Sequence, residues 1–346
     1  LSISNPQTTS EYLIDERAKK LAVRVDDAYR RFVKTLPSSL QVTAWERGTF
    51  DHRSGDAPLE SLLERNAINT GALFLFWELC EGIDEPDLLG LAEASTFIGL
   101  TYILLDHLVD DQATDAANST LLQHSFNEQG FRKLQELFAA DHRFWSEYYR
   151  LMAALRSSFA LEVECRQDPT KYSEENFLKA TYGKVVPAVL SVIAASMLRP
   201  DLDEDGRAKI LSALERGLLD LISAGQLAHD VEEWESDLHN HEMTYFLSTC
   251  APAERWLEED WPSEEEIRAM IFETRSDVRH LEIAEAWFSG AKDTIEDLRT
   301  ARGIELGFIN WNAYIEYYVT QAARFVKKAR RKRVRRALFG LTAAGG

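Results

Sequence analysis

The sequence is short of the residues that cross-link a chain or turn it often. Its 346 residues include three cysteines, Cys80, Cys165 and Cys250, far apart and with no C-x-x-C spacing. That excludes a disulfide framework and a thiolate zinc site, and it fits a reducing, cytoplasmic setting. Only 9 prolines and 17 glycines punctuate the chain, and sustained period-two alternation is hard to find, which argues against a β-rich architecture. No basic–apolar–small leader pattern stands at the N-terminus. The longest apolar-rich stretch, 187–198, is shorter than the ~20 residues a spanning helix needs. Positive charge is scarce as well. A net charge of −18 argues against nucleic acid as a partner, because phosphates call for a basic surface.

The one exception is local. Residues 327–336 carry eight Lys and Arg side chains, so removing that +8 from −18 leaves −26 on everything else. The expected organisation is therefore an all-α domain over 1–328 followed by a basic tail over 329–346. The tail reads as a solvated extension of the last helix, with peripheral contact to an anionic membrane as its functional reading.

Helical spacing takes the place of strands and turns. In 207–227, Ile210, Leu211, Leu214, Leu218, Leu221 and Ile222 recur at three- and four-residue steps. Similar patterns run through about 10–35, 68–82, 88–112, 130–166, 174–198, 264–289 and 305–330, separated by short Pro-, Gly- and Asp-rich breaks. Ser173 ahead of Glu174 and Glu175 predicts a helix start, and Pro200 predicts a helix end. With no internal repeat and no long linker, the pattern predicts one all-α bundle of ten or more helices.

Two acidic clusters interrupt this apolar periodicity. In "TYILLDHLVDDQ" (101–112), Asp106 and Asp110 stand one helical turn apart, with Asp111 beside them, and no Lys or Arg occurs between Thr101 and Asn127. In "QLAHDVEEWESD" (226–237), His229, Glu233 and Asp237 form one stripe and Asp230, Glu233 and Asp237 another. A solvated acidic helix end accounts for either cluster alone. Together, on facing helices, they form an all-oxygen donor set suited to Mg²⁺ or Mn²⁺, whose remaining ligands are waters and substrate phosphates. A di-iron bundle would need Glu-x-x-His pairs, and none of the eight histidines has Glu three residues before it.

The pair resembles the two aspartate-rich motifs of the class I isoprenoid synthases, which include trans-prenyl diphosphate synthases, squalene/phytoene synthases and class I terpene cyclases. "DHLVDD" is similar to the D-x-x-x-D form of the first motif. "QLAHDVEEWESD" is similar to the second prenyl synthase motif at Gln226, Asp230 and Asp237, with Glu233 in place of an aspartate and His229 in place of the leading one. "DLHNHEMTYFL" resembles the stretch that follows that motif. The resemblance implies a helical bundle around a central active-site cavity, with three Mg²⁺ ions, or Mn²⁺ in their place, held by Asp106, Asp110, Asp111, His229, Asp230, Glu233 and Asp237. It also implies a prenyl diphosphate substrate. Lys184, in "TYGKVVPAV", lies where the family places a diphosphate-binding basic residue, and Arg324-Phe325, after "GFINWN", resembles an Arg-Tyr pair of the cyclases. Gly183 beside Lys184 suggests a local helix break. Gln226, Phe76, Tyr102, Phe159, Tyr182 and Trp311 are the candidate substrate-binding residues, the aromatics as walls able to stabilise a passing carbocation.

Elongating members carry a G-G-K-x-x-R-P segment and an arginine pair after the first motif. "DDQATDAANSTLLQ" has no arginine, and no comparable glycine–lysine segment precedes residue 100. These departures favour a terpene synthase that ionises an allylic diphosphate and cyclises or rearranges the cation. A prenyltransferase acting on isopentenyl diphosphate or a non-isoprenoid acceptor is the alternative. An inactive helical interaction protein is the non-enzyme reading, and a homodimer is a candidate assembly.

Overall fold

The computed structural model describes residues 15–47, 62, 70–110, 113, 115–257, 261–300 and 307–343. Among them are thirteen α-helices, two short 3-10 turns and no strand. The helices are α1 (Glu16–Val33), α2 (Ser38–Arg47), α3 (Ala72–Leu75), α4 (Glu85–Val109), α5 (Ala116–Leu137), α6 (Phe144–Gln167) and α7 (Glu174–Leu198). They continue with α8 (Glu204–His239), α9 (Tyr245–Cys250), α10 (Ala253–Trp256), α11 (Glu264–Thr274), α12 (Ser276–Thr300) and α13 (Ile309–Ala343).

Local chemistry sets many of the starts. Asp84, Ser173 and Asp203 cap α4, α7 and α8, each side chain accepting a bond from a backbone N–H of the first turn. Pro86 stands in the first turn of α4, where its missing N–H costs nothing. Ser263 and Glu266 form a reciprocal capping box at α11. The chain leaves α8 through Asn240 and then His241, whose φ of 57° turns it sharply towards 242–245.

Two helices form the centre. α4 and α7 are long and apolar enough to cross a membrane by composition, yet most of each is buried inside the bundle. In α7 every residue from Val185 to Ser196 is buried, which explains why its apolar pattern runs almost unbroken rather than on one stripe. α8 packs against α7 and α12, and α5 packs along α4. A smaller cluster of Tyr29, Val33, Phe97, Leu104 and Phe126 joins α1, α4 and α5, and the Tyr29 hydroxyl donates to the Ala44 carbonyl at 2.6 Å.

α7 is helical throughout, so the expected break at Gly183 does not occur. The glycine serves a close approach instead. A Cβ at Gly183 would lie 2.8 Å from the Ser158 Cβ of α6, below any normal contact distance. Gly183→Ala is therefore expected to destabilise the fold by about 1–3 kcal/mol in urea denaturation. Adding Ser158→Gly should restore most of the loss by removing the atom that is struck, and a double mutant no better than the single would show the strain lies elsewhere.

α13 runs without interruption from Ile309 through residue 328 to Ala343.

Candidate active site

Four helices bring charged groups to one cavity of about 470 Å³. α4 contributes Asp106 and Asp110, α6 contributes Glu162 and Arg166, α7 contributes Lys184, and α8 contributes Gln226, His229, Asp230 and Asp237. Glu242 lines it from the segment after α8. The geometry follows helical periodicity. Asp106 and Asp110 are one turn apart, and Asp230 and Asp237 are two turns apart, offset by only about 20° around the axis. Glu233 lies about 60° off that line. It is half-buried and not part of the wall, so on α8 the facing carboxylates are Asp230 and Asp237.

The basic groups are already engaged. Lys184 Nζ lies 3.3 Å from Glu162 and 3.5 Å from Asp106. Arg166 reaches Asp110 at 2.7 Å and Glu162 at 2.8 Å. Burial alone would discharge Lys184, but Glu162, Asp106 and Asp110 outweigh it and hold the ammonium firmly protonated. Burial likewise opposes the charge on Arg166, and Glu162 and Asp110 secure it. Glu162 thus bridges both cations.

The α8 side has the opposite problem. Asp230 is 3% exposed and accepts a hydrogen bond from Gln226 Nε2 at 2.7 Å. Burial pushes its carboxyl up to about 7 despite that bond and the Lys184 charge. Asp237 is pushed up to about 8 by burial and by repulsion from Asp230, Glu242 and Glu233. Both folded values exceed the unfolded carboxylate value, so the protonated forms favour folding. This contribution is complete below about pH 4 and is lost as pH rises through about 7–8. Metal-free protein should accordingly melt at lower temperature at pH 8.5 than at pH 5.5, by calorimetry. Asp237→Asn should flatten that slope, and an unchanged slope would remove Asp237 from the account.

Six carboxyl groups against two cations leave a strong demand for positive charge. Among the described residues, no three His, Cys, Asp or Glu side chains already converge on one point. The donors nevertheless fit Mg²⁺ or a similar hard cation: they are carboxylates, two are buried without a basic partner in bonding range, and Mg²⁺ bound with phosphates takes only one or two carboxylates. Asp106 and Asp110 on one wall and Asp230 and Asp237 on the other are the residues that would hold it. His229 is exposed at the mouth, and Asp111 lies outside the described residues.

The apolar part of the cavity differs from the expected one. Its walls are Phe177, Leu221, Ile222, Met243, Tyr245 and Tyr318. Phe177 stacks on Tyr245 at 4.9 Å, and Tyr318 stacks on Phe288 at 5.5 Å. Phe76 and Trp311 do not line the cavity. They stack on each other at 5.0 Å in the core, where the start of α13 is tied down by the Asn310 amide donating to the Phe74 carbonyl. Tyr182 is turned away, since it stands two positions from Lys184, over half a turn around α7, and its hydroxyl donates to Glu215. Arg324 is exposed, on the solvent side between buried Ala322 and Val326. Tyr102 and Phe159 pack against each other at 5.8 Å behind the wall, and the Tyr102 hydroxyl donates to Asp106 Oδ1 at 3.2 Å. Neither Tyr102 nor Phe159 lines the cavity. Glu162 and Arg166 were not expected from the sequence, and their only signal is an i, i+4 spacing shared by many surface pairs.

No protein-family model matches the chain, and no curated protein matches it. Solved structures do. A polyprenyl synthetase from Streptomyces coelicolor A3(2) superposes with a TM-score of 0.65 at 18% identity, covering 90% of this chain and 99% of that one. The fold is that of the isoprenoid synthases. A geranylgeranyl pyrophosphate synthase from Corynebacterium glutamicum shares this isoprenoid synthase fold, with a TM-score of 0.63 at 12% identity over 93% of this chain and 98% of that one. A polyprenyl synthase from Caulobacter crescentus, complexed with calcium and isoprenyl diphosphate, matches with a TM-score of 0.59 at 17% identity, over 87% and 97% of the two chains.

Proposed function

We propose that the protein is a divalent-metal-dependent prenyltransferase, which ionises an allylic prenyl diphosphate and delivers the prenyl group to an acceptor. The observation that carries this reading is the convergence of Asp106, Asp110, Asp230 and Asp237 with Lys184 and Arg166 on one cavity with an apolar, aromatic extension. The solved structures of like fold, polyprenyl and geranylgeranyl synthases, weigh towards transfer and against the terpene synthase expected from the sequence.

The chain's own groups have defined tasks. Lys184 and Arg166, protonated throughout the physiological range, neutralise the negative charge that grows on the leaving diphosphate as its C–O bond breaks. A bound divalent ion supplies further neutralisation of that leaving group. Glu162 holds both cations in place when Asp106 and Asp110 take up other partners. Phe177, Tyr245 and Tyr318 present ring faces to the allylic cation, and the apolar walls keep water from it.

One observation favours cyclisation without a second substrate. Lys184 and Arg166 are the basic residues of the cavity wall among the described residues, and the stretch after the first motif carries no arginine. A second diphosphate has no evident cationic partner there. Incubation with Mg²⁺ and geranyl, farnesyl or geranylgeranyl diphosphate, with and without isopentenyl diphosphate, separates the readings by mass spectrometry. A longer prenyl diphosphate or a prenylated acceptor supports transfer. A hydrocarbon or terpene alcohol formed from the allylic substrate alone overturns it in favour of a terpene synthase.

A further inference from the structure

α13 outlasts the bundle it packs on. Its buried row runs through Ala322 and Val326, with Ala329 packed against the same core. Arg330 makes the last ion pair from α13 to the bundle among the described residues, to Glu282 of α12. Lys327, Lys328, Arg330, Arg331 and Val334 are exposed, and the helix continues for 13 residues after Arg330 to Ala343, about 20 Å.

Helical register shows what this extension offers. Positions 334, 337, 338 and 341 form one stripe, and the sequence places Val, Ala, Leu and Leu there. In helical register these positions centre roughly 100° from the row of 322, 326 and 329. Of the positions in register with that row, 333 and 336 are Arg and 340 is Gly. Six of the seven residues from 330 to 336 are Lys or Arg. A helix with a narrow apolar stripe flanked by basic residues is suited to lying in the interface of a bilayer.

We propose that residues 331–343 of α13 dock the protein onto anionic lipid bilayers, with the basic residues meeting headgroups and the stripe at 334, 337, 338 and 341 entering the acyl boundary. The −26 carried by the rest of the chain does not cancel this attraction. Screening at physiological salt acts over about 8 Å, whereas the extension reaches about 20 Å past Arg330. The apolar stripe favours a bilayer over a nucleic acid, which would have no use for it. The inference does not depend on the catalytic reading, because lipid binding is measured without turnover.

Vesicle flotation of the full chain tests it, with phosphatidylcholine alone or with one third phosphatidylglycerol, at low and high salt. The expected result is at least about tenfold tighter binding to the anionic vesicles, weakened by salt. Leu338→Ser with Leu341→Ser, and separately Arg335→Glu with Arg336→Glu, should each lower binding by about tenfold or more with melting temperature unchanged. Equal binding to neutral and anionic vesicles, or variants that bind like the unmodified chain, would overturn the proposal. So would binding to a DNA duplex without binding to vesicles.

Discussion

Asp106→Asn combined with Asp110→Asn should lower release of diphosphate from an allylic substrate by about a thousandfold or more, with the fold retained. Both carboxylates line the cavity, and neither belongs to the apolar core. Each is paired with a cation, Asp106 with Lys184 and Asp110 with Arg166, and those cations keep Glu162 when the aspartates are neutralised. The variant therefore removes divalent-ion ligands while each cation keeps a carboxylate neighbour in Glu162. A coupled diphosphate assay reads the activity, and circular dichroism reads the fold. Turnover within a few-fold of the unmodified chain would remove the first acidic cluster from the chemistry.

Asp237→Asn should act in opposite directions on stability and on activity. Asp237 is buried beside Asp230, Glu233 and Glu242 with no cation to offset them, and its carboxyl is pushed up to about 8. A neutral amide of the same shape relieves that repulsion. At pH 8.5 the metal-free variant should gain about 2 kcal/mol or more, which corresponds to several degrees in melting temperature. Activity should fall by about a hundredfold or more, because a ligand is lost from the α8 wall. Charged groups crowded at a functional site at a cost in stability are a common compromise. A variant that is both less stable and fully active would contradict the assignment on both counts.

The helices and the two acidic faces were legible because each rests on a repeating local signal. Apolar spacing of three and four marks α8, Ser173 marks the start of α7, and the aspartates of α4 and α8 recur at whole turns. Which α8 carboxylates face inward was harder to read. Two registers fit the sequence, and the seven-residue interval from Asp230 to Asp237 places those two on the wall while Glu233 falls beside it. Arg166 and Glu162 were hidden for a different reason: on a single helix a charged i, i+4 pair looks the same whether it faces solvent or Asp110 and Lys184. Aromatic residues carry no such directional mark at all. Phe76 and Trp311 went to the core, while Phe177, Tyr245 and Tyr318 went to the cavity, a partition set by how α7, α8 and α13 pack.

The central claim is that this cavity binds a prenyl diphosphate only with the help of divalent ions. Calorimetric titration with a prenyl thiolodiphosphate, which resists ionisation, tests it without requiring the acceptor to be known. Saturable binding with Mg²⁺, abolished by chelation and by Asp106→Asn with Asp110→Asn, is the predicted result. Equal binding with and without Mg²⁺, or none under either condition, would contradict it.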